Sequence, residues 1–330
     1  MIKKIYSTVI LLSILNFTHY VNAQPDSHNV APSINKKPTS EDDILKMLKG
    51  GGLVLKNMHE FPYDLIANNN KHIGSLTIHN SPELTDLPAE LSNLINLKKI
   101  TISGTKVKNF PTGILKLNNL EILEFEMNQT DKIPSEIGKL TQLKSLKLFI
   151  LPITKLPAEI GQLTNLEILE IANNKGGRII ANDRYDLKGI TVIPKEIGNL
   201  KNLNKLSLYE NGFENVPKEI GNLVDLEYLW LFKNNIKAIP KEIGNLKNLK
   251  YLLLNENPLE ELPNSIGELT NLKILNLNHT SLKSLPKSIE NLKNLEMLEI
   301  QGTQVSEDEL KLLKQKLPNT KIFNGKYITL

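Results

Sequence analysis

A repeat of 23 residues sets the hydrophobic pattern of the chain. Prolines stand at this spacing in one series of four and a second series of five, and a leucine nine residues after each proline keeps step. Self-similarity at a fixed period of this length is typical of a solenoid built from identical supersecondary units. The prolines of the two series are Pro88, Pro111, Pro134 and Pro157, then Pro194, Pro217, Pro240, Pro263 and Pro286.

Each unit contains the pattern of one short strand. Leu252 and Leu254 are two residues apart, so both side chains face the same side of a strand. We expect equivalent strands to stack in parallel. An asparagine ends the strand in most units, and a buried amide there can satisfy the backbone of neighbouring turns. These asparagines are Asn128, Asn174, Asn211, Asn234 and Asn257.

The return path of each unit has the pattern Pro-Lys-Glu-Ile-Gly-Asn-Leu, which suits a single helical turn. Proline is favoured where a helix begins, and the glycine resembles a helix C-terminal signal. Ser92, Leu115 and Glu290 occupy the glycine position in three units. A left-handed conformation is therefore not required at that position.

These residues resemble the leucine-rich-repeat family, in the Leu-Pro-x-Glu-Ile-Gly-x-Leu subclass found in many bacterial proteins and in Ras-associated repeat proteins. The resemblance covers about residues 73–300, with ten strand units. It implies an α/β repeat solenoid, a horseshoe with a parallel β-sheet on the concave face and short helical or irregular segments on the convex face. It also implies binding as the usual role, without naming a partner or a cofactor.

The first 23 residues have the order of a secretory signal peptide. Lys3 and Lys4 precede an apolar stretch that is densest over residues 9–15, and Val21 and Ala23 fit the small-residue positions of a cleavage site. We therefore expect export to the periplasm, the cell surface or the medium after cleavage near Ala23. An uncleaved anchor or a frayed N-terminus is the alternative. No later segment is apolar enough for a membrane helix.

Composition and short motifs predict the remaining boundaries between segments of the chain. Residues 24–39 are polar and predict a disordered linker. Residues 40–72 predict an N-terminal cap, with a helix starting at Ser40 and a degenerate repeat. The solenoid then spans residues 73–302. Residues 303–330 predict a C-terminal cap helix after Ser306, followed by a tail.

Residues 175–188 are an insertion that interrupts the repeat at the edge of the predicted sheet. Its Arg178, Arg184 and Tyr185 are residue types that anchor interfaces, so the insertion is a candidate second contact loop. The alternative is a solvated loop without a role. Acidic and amide residues also occur in it, but their spacing fits no known calcium pattern.

Strand alternation also predicts which side chains face the concave side. In the N-terminal half, Thr101, Glu124, Lys147 and Glu170 form a column of alternating charge that we expect to pair with itself. Further along, three neighbouring strands present aromatic and apolar side chains. Such a patch typically marks an interaction site, unless the insertion covers it. Its members are Tyr209, Tyr228, Trp230, Phe232, Tyr251 and Leu253, with Lys205, Lys233, Glu210 and Glu256 at the rim.

Composition and motifs argue against several classes of functional site. The chain has no cysteine, which excludes disulfides, thiolate metal sites and a cysteine nucleophile. Its formal charge of +4 falls to about +2 without Lys3 and Lys4, so it gives no reason to expect a nucleic-acid partner. His79 and His279 lie near opposite ends of the array, and no phosphate-binding loop is present.

We therefore predict a non-enzymatic protein without cofactor or metal that binds a protein, peptide or glycan on its concave face. The alternatives are an intracellular GTPase-associated scaffold, suggested by the repeat subclass, and a surface adhesin or structural protein.

Overall fold

One parallel sheet runs through the repeat array. The computed structural model describes residues 33–34, 51–63, 70–172 and 174–329. The predicted signal peptide and the helix predicted after Ser40 lie outside these residues. Within them, 13 strands form a single sheet in which successive units are neighbours, and every described pairing between these strands is parallel. The predicted α/β repeat solenoid is confirmed.

The strands are numbered along the chain. The sheet contains β1 (Ser33–Ile34), β2 (Gly52–Lys56), β3 (Ser75–Ser81), β4 (Lys99–Thr105), β5 (Ile122–Glu126), β6 (Ser145–Phe149), β7 (Ile168–Ala172), β10 (Lys205–Ser207), β11 (Tyr228–Trp230), β12 (Tyr251–Leu253), β13 (Ile274–Asn276), β14 (Met297–Glu299) and β15 (Lys321–Phe323). Strands β8 (Lys175–Ile180) and β9 (Asp183–Lys188) form a separate antiparallel pair. The ten predicted units correspond to β3–β7 and β10–β14.

A continuous aliphatic core lies behind the sheet. Leu206, Leu229 and Leu252 are in register on neighbouring strands, and all three are fully buried. The isoleucines of the return paths, such as Ile220 and Ile243, are equally buried. Each such side chain contributes about 1.5–3 kcal/mol of transfer free energy, so every unit adds to the stability of its neighbours.

The predicted asparagine ladder is present and buried. Asn234 donates to the carbonyl oxygens of Leu208, Leu231 and Phe232 at 3.0, 2.9 and 3.2 Å. Its own oxygen accepts from the Phe213 amide at 3.2 Å. These bonds satisfy backbone groups at a turn where the strand pairing ends.

The inserted hairpin leaves a defect in this ladder. The side-chain oxygen of Asn211 is buried without a hydrogen-bond partner among the described residues, whereas the corresponding oxygens of Asn234 and Asn257 each accept a backbone amide. The chain returns from the hairpin directly beside this position, at Gly189, and interrupts the regular bonding there.

A second asparagine ladder lies on the outside of the turn that follows each return path. Asn202, Asn248 and Asn271 each donate to a carbonyl oxygen of the preceding unit at 2.8 to 3.0 Å. We did not predict this ladder from the sequence. The Asn-Leu pair that recurs in most units was the available signal.

The return paths form short 3₁₀ segments, and in all of those described below except Ile114–Lys116 an extended proline directly precedes the segment. Nine of them, in the described units, are Ala89–Asn93, Ile114–Lys116, Ser135–Lys139, Ala158–Gln162, Lys195–Asn199, Lys218–Asn222, Lys241–Asn245, Asn264–Glu268 and Lys287–Asn291. These segments stack on the side of the core opposite the sheet.

The repeated glycine serves close packing. The glycines of the 3₁₀ segments do not have positive φ, so they are not left-handed helix caps. A Cβ atom at Gly221 would instead lie 2.4 Å from the Glu242 carbonyl oxygen of the next unit, and one at Gly198 would lie 2.6 Å from that of Glu219. The glycine therefore permits neighbouring 3₁₀ segments to touch through their backbones.

Both ends of the sheet carry additional strands. At the N-terminal end, Ser33 and Ile34 pair with Val54 and Leu55, so the prediction of a disordered linker is wrong for these two residues. The exposed edge of β2 offers unpaired backbone groups that an extended segment satisfies.

At the C-terminal end, the predicted helix forms as α1 (Glu307–Lys316), and the Ser306 side chain caps it by accepting from the Glu309 amide. Strand β15 then extends the sheet by one strand.

The insertion is a β-hairpin. Its two-residue turn has positive φ at Ala181 (47°) and Asn182 (72°), as tight hairpins require. Side chains alternate along both strands, and Ile180 and Leu187 pack on Ile150 in a small cluster separate from the main core. The alternation of Tyr185 and Leu187 with polar residues in β9 was visible in the sequence and could have predicted this second strand.

Candidate binding surface

The N-terminal half of the concave face is a ladder of paired charges. Glu124, Lys147 and Glu170 are adjacent in register, and Lys147 lies 3.6 and 3.7 Å from the two carboxylates. Glu170 also pairs with Lys205, and the Thr101 hydroxyl donates to Glu124 at 2.9 Å. This column pairs with itself, as its alternating charge predicted.

The ladder shifts the acidity of its carboxylates in opposite directions. Burial raises the pKa of Glu124, but the Thr101 hydroxyl and the charges of Lys99 and Lys147 outweigh it and leave the pKa lowered. Burial raises the pKa of Glu126, and the neighbouring Glu124 charge raises it further. The charge of Lys147 offsets only part of this rise, so the pKa of Glu126 stays raised.

The next three strands carry the predicted aromatic and apolar side chains. We call Tyr209, Tyr228, Trp230, Phe232, Tyr251 and Leu253 the aromatic surface. All six lie next to buried leucines of their units, on the concave side of the sheet, and all are partly exposed.

The rings of the aromatic surface stack along the sheet. Tyr209 and Phe232 have centroids 4.5 Å apart and planes within 6°, and Tyr228 and Tyr251 have centroids 4.8 Å apart and planes within 5°. Stacking across neighbouring strands fixes the orientation of these side chains, so the surface is preorganised.

Lys205 links the charged ladder to the aromatic surface. Its ammonium pairs with Glu170 and lies 4.0 Å from the centroid of the Trp230 ring, which is a cation–π contact. The sequence placed Lys205 at the rim, but its contact with Trp230 depends on the register of β10 and β11 and was not predicted.

Two polar atoms at the centre of this surface are unpaired. The Trp230 indole nitrogen and the hydroxyl of Ser207, its register partner, are buried without a hydrogen-bond partner among the described residues. Each such group costs free energy while it stays unpaired.

The hairpin stands beside the aromatic surface and leaves it partly exposed. Arg178 pairs with Glu210 at 2.6 Å, and Glu210 also pairs with Lys233 at 2.8 Å. Tyr185 packs on the Ile180 and Leu187 cluster. Of the three residues predicted for a contact loop, Arg178 and Tyr185 thus hold the hairpin on the solenoid, and Arg184 is exposed on the opposite face.

A polar groove of about 410 Å³ lies between the hairpin and the turns that follow the aromatic strands. Arg178, Glu210, Lys233 and Glu256 line it. It adjoins the aromatic surface at Phe232, the residue before Lys233. The predicted charged side chains at the rim therefore line a shallow, open groove on this side.

Other chemistry is limited in the described part of the chain. No group of three or more histidine and acidic residues there is placed to hold a metal ion. In the hairpin, the Asp183 carboxylate accepts a hydrogen bond from the Gln129 side-chain amide at 2.9 Å and lies 3.5 Å from the Lys106 ammonium. No helix among the described residues is long and apolar enough to cross a membrane.

Comparison with known proteins agrees with this geometry. A family model described as a leucine-rich repeat region matches residues 72–182 and 218–318. The chain belongs to the leucine-rich-repeat family. No curated protein sequence matches this leucine-rich-repeat chain.

Several solved structures share the fold. A leucine-rich-repeat protein of Leptospira interrogans is 30% identical, with a TM-score of 0.61 over 89% of this chain and 82% of that one. The Arabidopsis receptor kinase HAESA, solved with a peptide hormone and a co-receptor, is 26% identical, with a TM-score of 0.63 over 78% of this chain and 43% of that one. An internalin of Listeria monocytogenes is 18% identical, with a TM-score of 0.60 over 83% of this chain and 78% of that one, and shows the fold alone.

Proposed function

We propose that this leucine-rich-repeat protein binds a protein or peptide partner on the aromatic surface of its concave face. The observation that carries the proposal is the group of five aromatic side chains, four of them stacked in two pairs, and Leu253 on three neighbouring units. Tryptophan and tyrosine are the residues most enriched where truncation costs the most binding energy.

The charge distribution supports this location over the rest of the concave face. Acids and lysines of the N-terminal half neutralise one another within the ladder. A partner docking there would have to break those pairs, at a cost in desolvation. The aromatic surface offers apolar area instead.

The structural comparison supports a peptide as one kind of partner. HAESA, which shares the fold, was solved with a peptide hormone. This chain spans less than half of that receptor, so the likeness supports only the kind of partner.

Affinity capture tests the proposal. The mature chain and its Tyr228→Ala, Trp230→Ala double variant are immobilised and exposed to the same extracellular extract, with Lys147→Ala as a control on the charged ladder. We expect a protein or peptide that the wild type and the control retain and the double variant loses. Equal retention by all three chains would contradict the proposed surface, and retention of a glycan would change the class of partner.

We also propose that the protein acts after export. The support is the order of charged, apolar and small residues at the N-terminus. Mass spectrometry of the protein from its native cells should find a mature N-terminus at Gln24. A full-length chain in the cytosol would contradict export and favour the intracellular scaffold.

A further inference from the structure

A groove interrupts the stack of 3₁₀ segments on the convex side, at the unit whose glycine is replaced by Leu115. At the corresponding glycines, a Cβ atom would lie as close as 2.2 Å to the next unit, at Gly267 against the Ser288 carbonyl oxygen. Leucine does not permit that approach. The segment Ser135–Lys139 therefore stands away from Ile114–Lys116, and a groove of about 500 Å³ opens between the two.

The two other exceptions to the glycine pattern differ from Leu115. After Ser92, the next unit supplies Gly113, where a Cβ atom would lie 2.6 Å from the Ala89 carbonyl oxygen. Glu290 belongs to the last unit of the array, ahead of helix α1. Of the three exceptions, Leu115 combines a large side chain with a following 3₁₀ segment.

The floor of the groove is apolar and fixed. Phe110, Leu115 and Pro134 line it, and Phe110 and Leu115 are 7% and 9% exposed, so each presents one edge. The Phe110 ring stacks on the core residue Phe125 with centroids 5.3 Å apart. Such a floor suits one apolar side chain of a ligand.

The rim of the groove is basic. Lys108, Lys116, Lys132 and Lys139 line it, against the two acids Asp131 and Glu136. All four lysines are exposed, and none forms an ion pair with a described residue.

Lysines elsewhere on the same units behave differently. Lys98 and Lys144 pair with Glu121 at 3.0 and 2.9 Å, and Lys99 and Lys147 pair with Glu124 at 3.4 and 3.6 Å. The units thus neutralise their lysines on and beside the sheet and leave them without ion pairs around the groove. This asymmetry gives the groove a net positive charge for a ligand to complement.

We propose that this groove is a second binding site, for an acidic peptide segment of a partner protein that inserts one apolar side chain between Leu115 and Pro134. The lysines attract the acidic residues on either side of that anchor, and the apolar floor selects the anchor itself. The site is separate from the aromatic surface, since the 3₁₀ segments lie on the other side of the core. It does not depend on the function proposed for the concave face.

Fluorescence polarisation with a defined probe set tests the proposal. The probes are fluorescein-labelled nonapeptides of glutamate and aspartate whose central residue is Leu, Ile, Met, Phe or Trp, with an all-acidic nonapeptide as reference. We expect at least one anchored peptide to bind the wild-type chain at least tenfold more tightly than the all-acidic reference. The Lys116→Glu, Lys139→Glu variant should weaken that binding at least tenfold.

The matched control is Lys218→Glu, Lys241→Glu, which makes the same charge change at two exposed lysines of the convex side outside the groove. It should bind as the wild type does. Equal weakening by both variants would overturn the site, because attraction by net charge alone would explain it. Binding of no peptide would also overturn it, as would a dimer of this chain that only the groove variant dissociates in sedimentation, since the occupant would then be a second copy. Circular dichroism confirms that both variants are folded.

Discussion

A single buried asparagine in each unit replaces backbone bonds that the sheet does not supply. Asn234 makes three donor bonds and one acceptor bond across two units. The residue before it, Lys233, has a φ of 55°, so the bonds also hold a left-handed turn. The sequence was sufficient to predict this role, because the asparagine recurs three residues after the second apolar residue of the strand pattern in several units.

Asn234→Ala should therefore lower the free energy of unfolding by about 2–3 kcal/mol, since it leaves buried carbonyl oxygens and one amide unpaired. Asn245→Ala is the matched control, because Asn245 is exposed on a 3₁₀ segment, and its effect should stay within about 0.5 kcal/mol. Urea unfolding followed by circular dichroism measures both. An equal loss in the two variants would contradict the ladder's role.

Glu126 gives a second prediction, about pH. Burial and the Glu124 charge raise its pKa above the ordinary glutamate value. The folded state therefore holds the proton more tightly than the unfolded state, and stability falls as the pH rises from the ordinary value through the raised one. Glu126→Gln removes this penalty, so it should raise the Tm at pH 7, with a gain that shrinks as the pH falls through the raised pKa and is lost below the ordinary glutamate pKa of about 4.3.

Glu121→Gln is the control, for which we expect a change in Tm of opposite sign. Hydrogen bonds from Lys144 and Lys98 lower the pKa of Glu121, so its stabilising contribution exists above the unfolded value and is lost in acid. Replacing it should lower the Tm slightly at neutral pH. Thermal melts from pH 3 to 8 compare the two variants, and a Tm gain for Glu126→Gln that persists unchanged in acid would contradict the assignment.

At the scale of the element, the 3₁₀ segment and the glycine within it set how closely two units approach. From the sequence, we related this glycine to a helix C-terminus, because glycine commonly ends helices. The true constraint comes from the carbonyl oxygen of the next unit, 21 residues away for Gly221. Contacts between units depend on how the units stack, so they could not be predicted from the conformational propensities of neighbouring residues in the sequence.

Gly221→Ala should destabilise the protein by about 1–3 kcal/mol, because the added methyl group would lie 2.4 Å from the Glu242 carbonyl oxygen and force the units apart. Gly177→Ala in the hairpin is the control, since no atom lies within 4 Å of the position that its methyl group would occupy and its φ is not positive. Chemical denaturation of both variants measures the two changes in the free energy of unfolding. A tolerated Gly221→Ala would show that the stack is looser than its geometry indicates.

The hairpin was the element least well predicted from the sequence. Its position followed from the interrupted repeat, and its amphipathic alternation was overlooked. The two residues selected as contacts, Arg178 and Tyr185, were chosen by residue type. Their side chains instead meet Glu210 and the small cluster around Ile150, partners that only the folded register brings near.

At the scale of the whole molecule, the parallel sheet places equivalent positions of successive repeats next to one another on the surface. Because each unit adds one strand in register, the six residues of the aromatic surface could be predicted to be neighbours. What the sequence could not supply was the detail of their packing: which rings stack, which ammonium covers Trp230, and which polar atoms stay unpaired. These depend on side-chain rotamers and on the twist of the sheet.

The same regularity divides the molecule into regions of different chemistry. Self-neutralised charges occupy one half of the concave face and stacked aromatic rings occupy three units of the other half. A departure from the glycine pattern opens the basic groove on the convex side. In such a scaffold, the partner is selected by the positions where the repeat is interrupted and by the variable surface residues. The repeated core does not select it.

The measurement that tests the central claim most directly uses the single tryptophan of the chain, Trp230. Protein labelled with 5-fluorotryptophan has one ¹⁹F resonance, which reports on the centre of the aromatic surface without interference from an unlabelled partner. Titration with the partner recovered by affinity capture should shift this resonance to saturation, and Tyr228→Ala should weaken the binding measured from the shift. A partner that binds by calorimetry while the resonance stays unchanged would contradict binding at the aromatic surface.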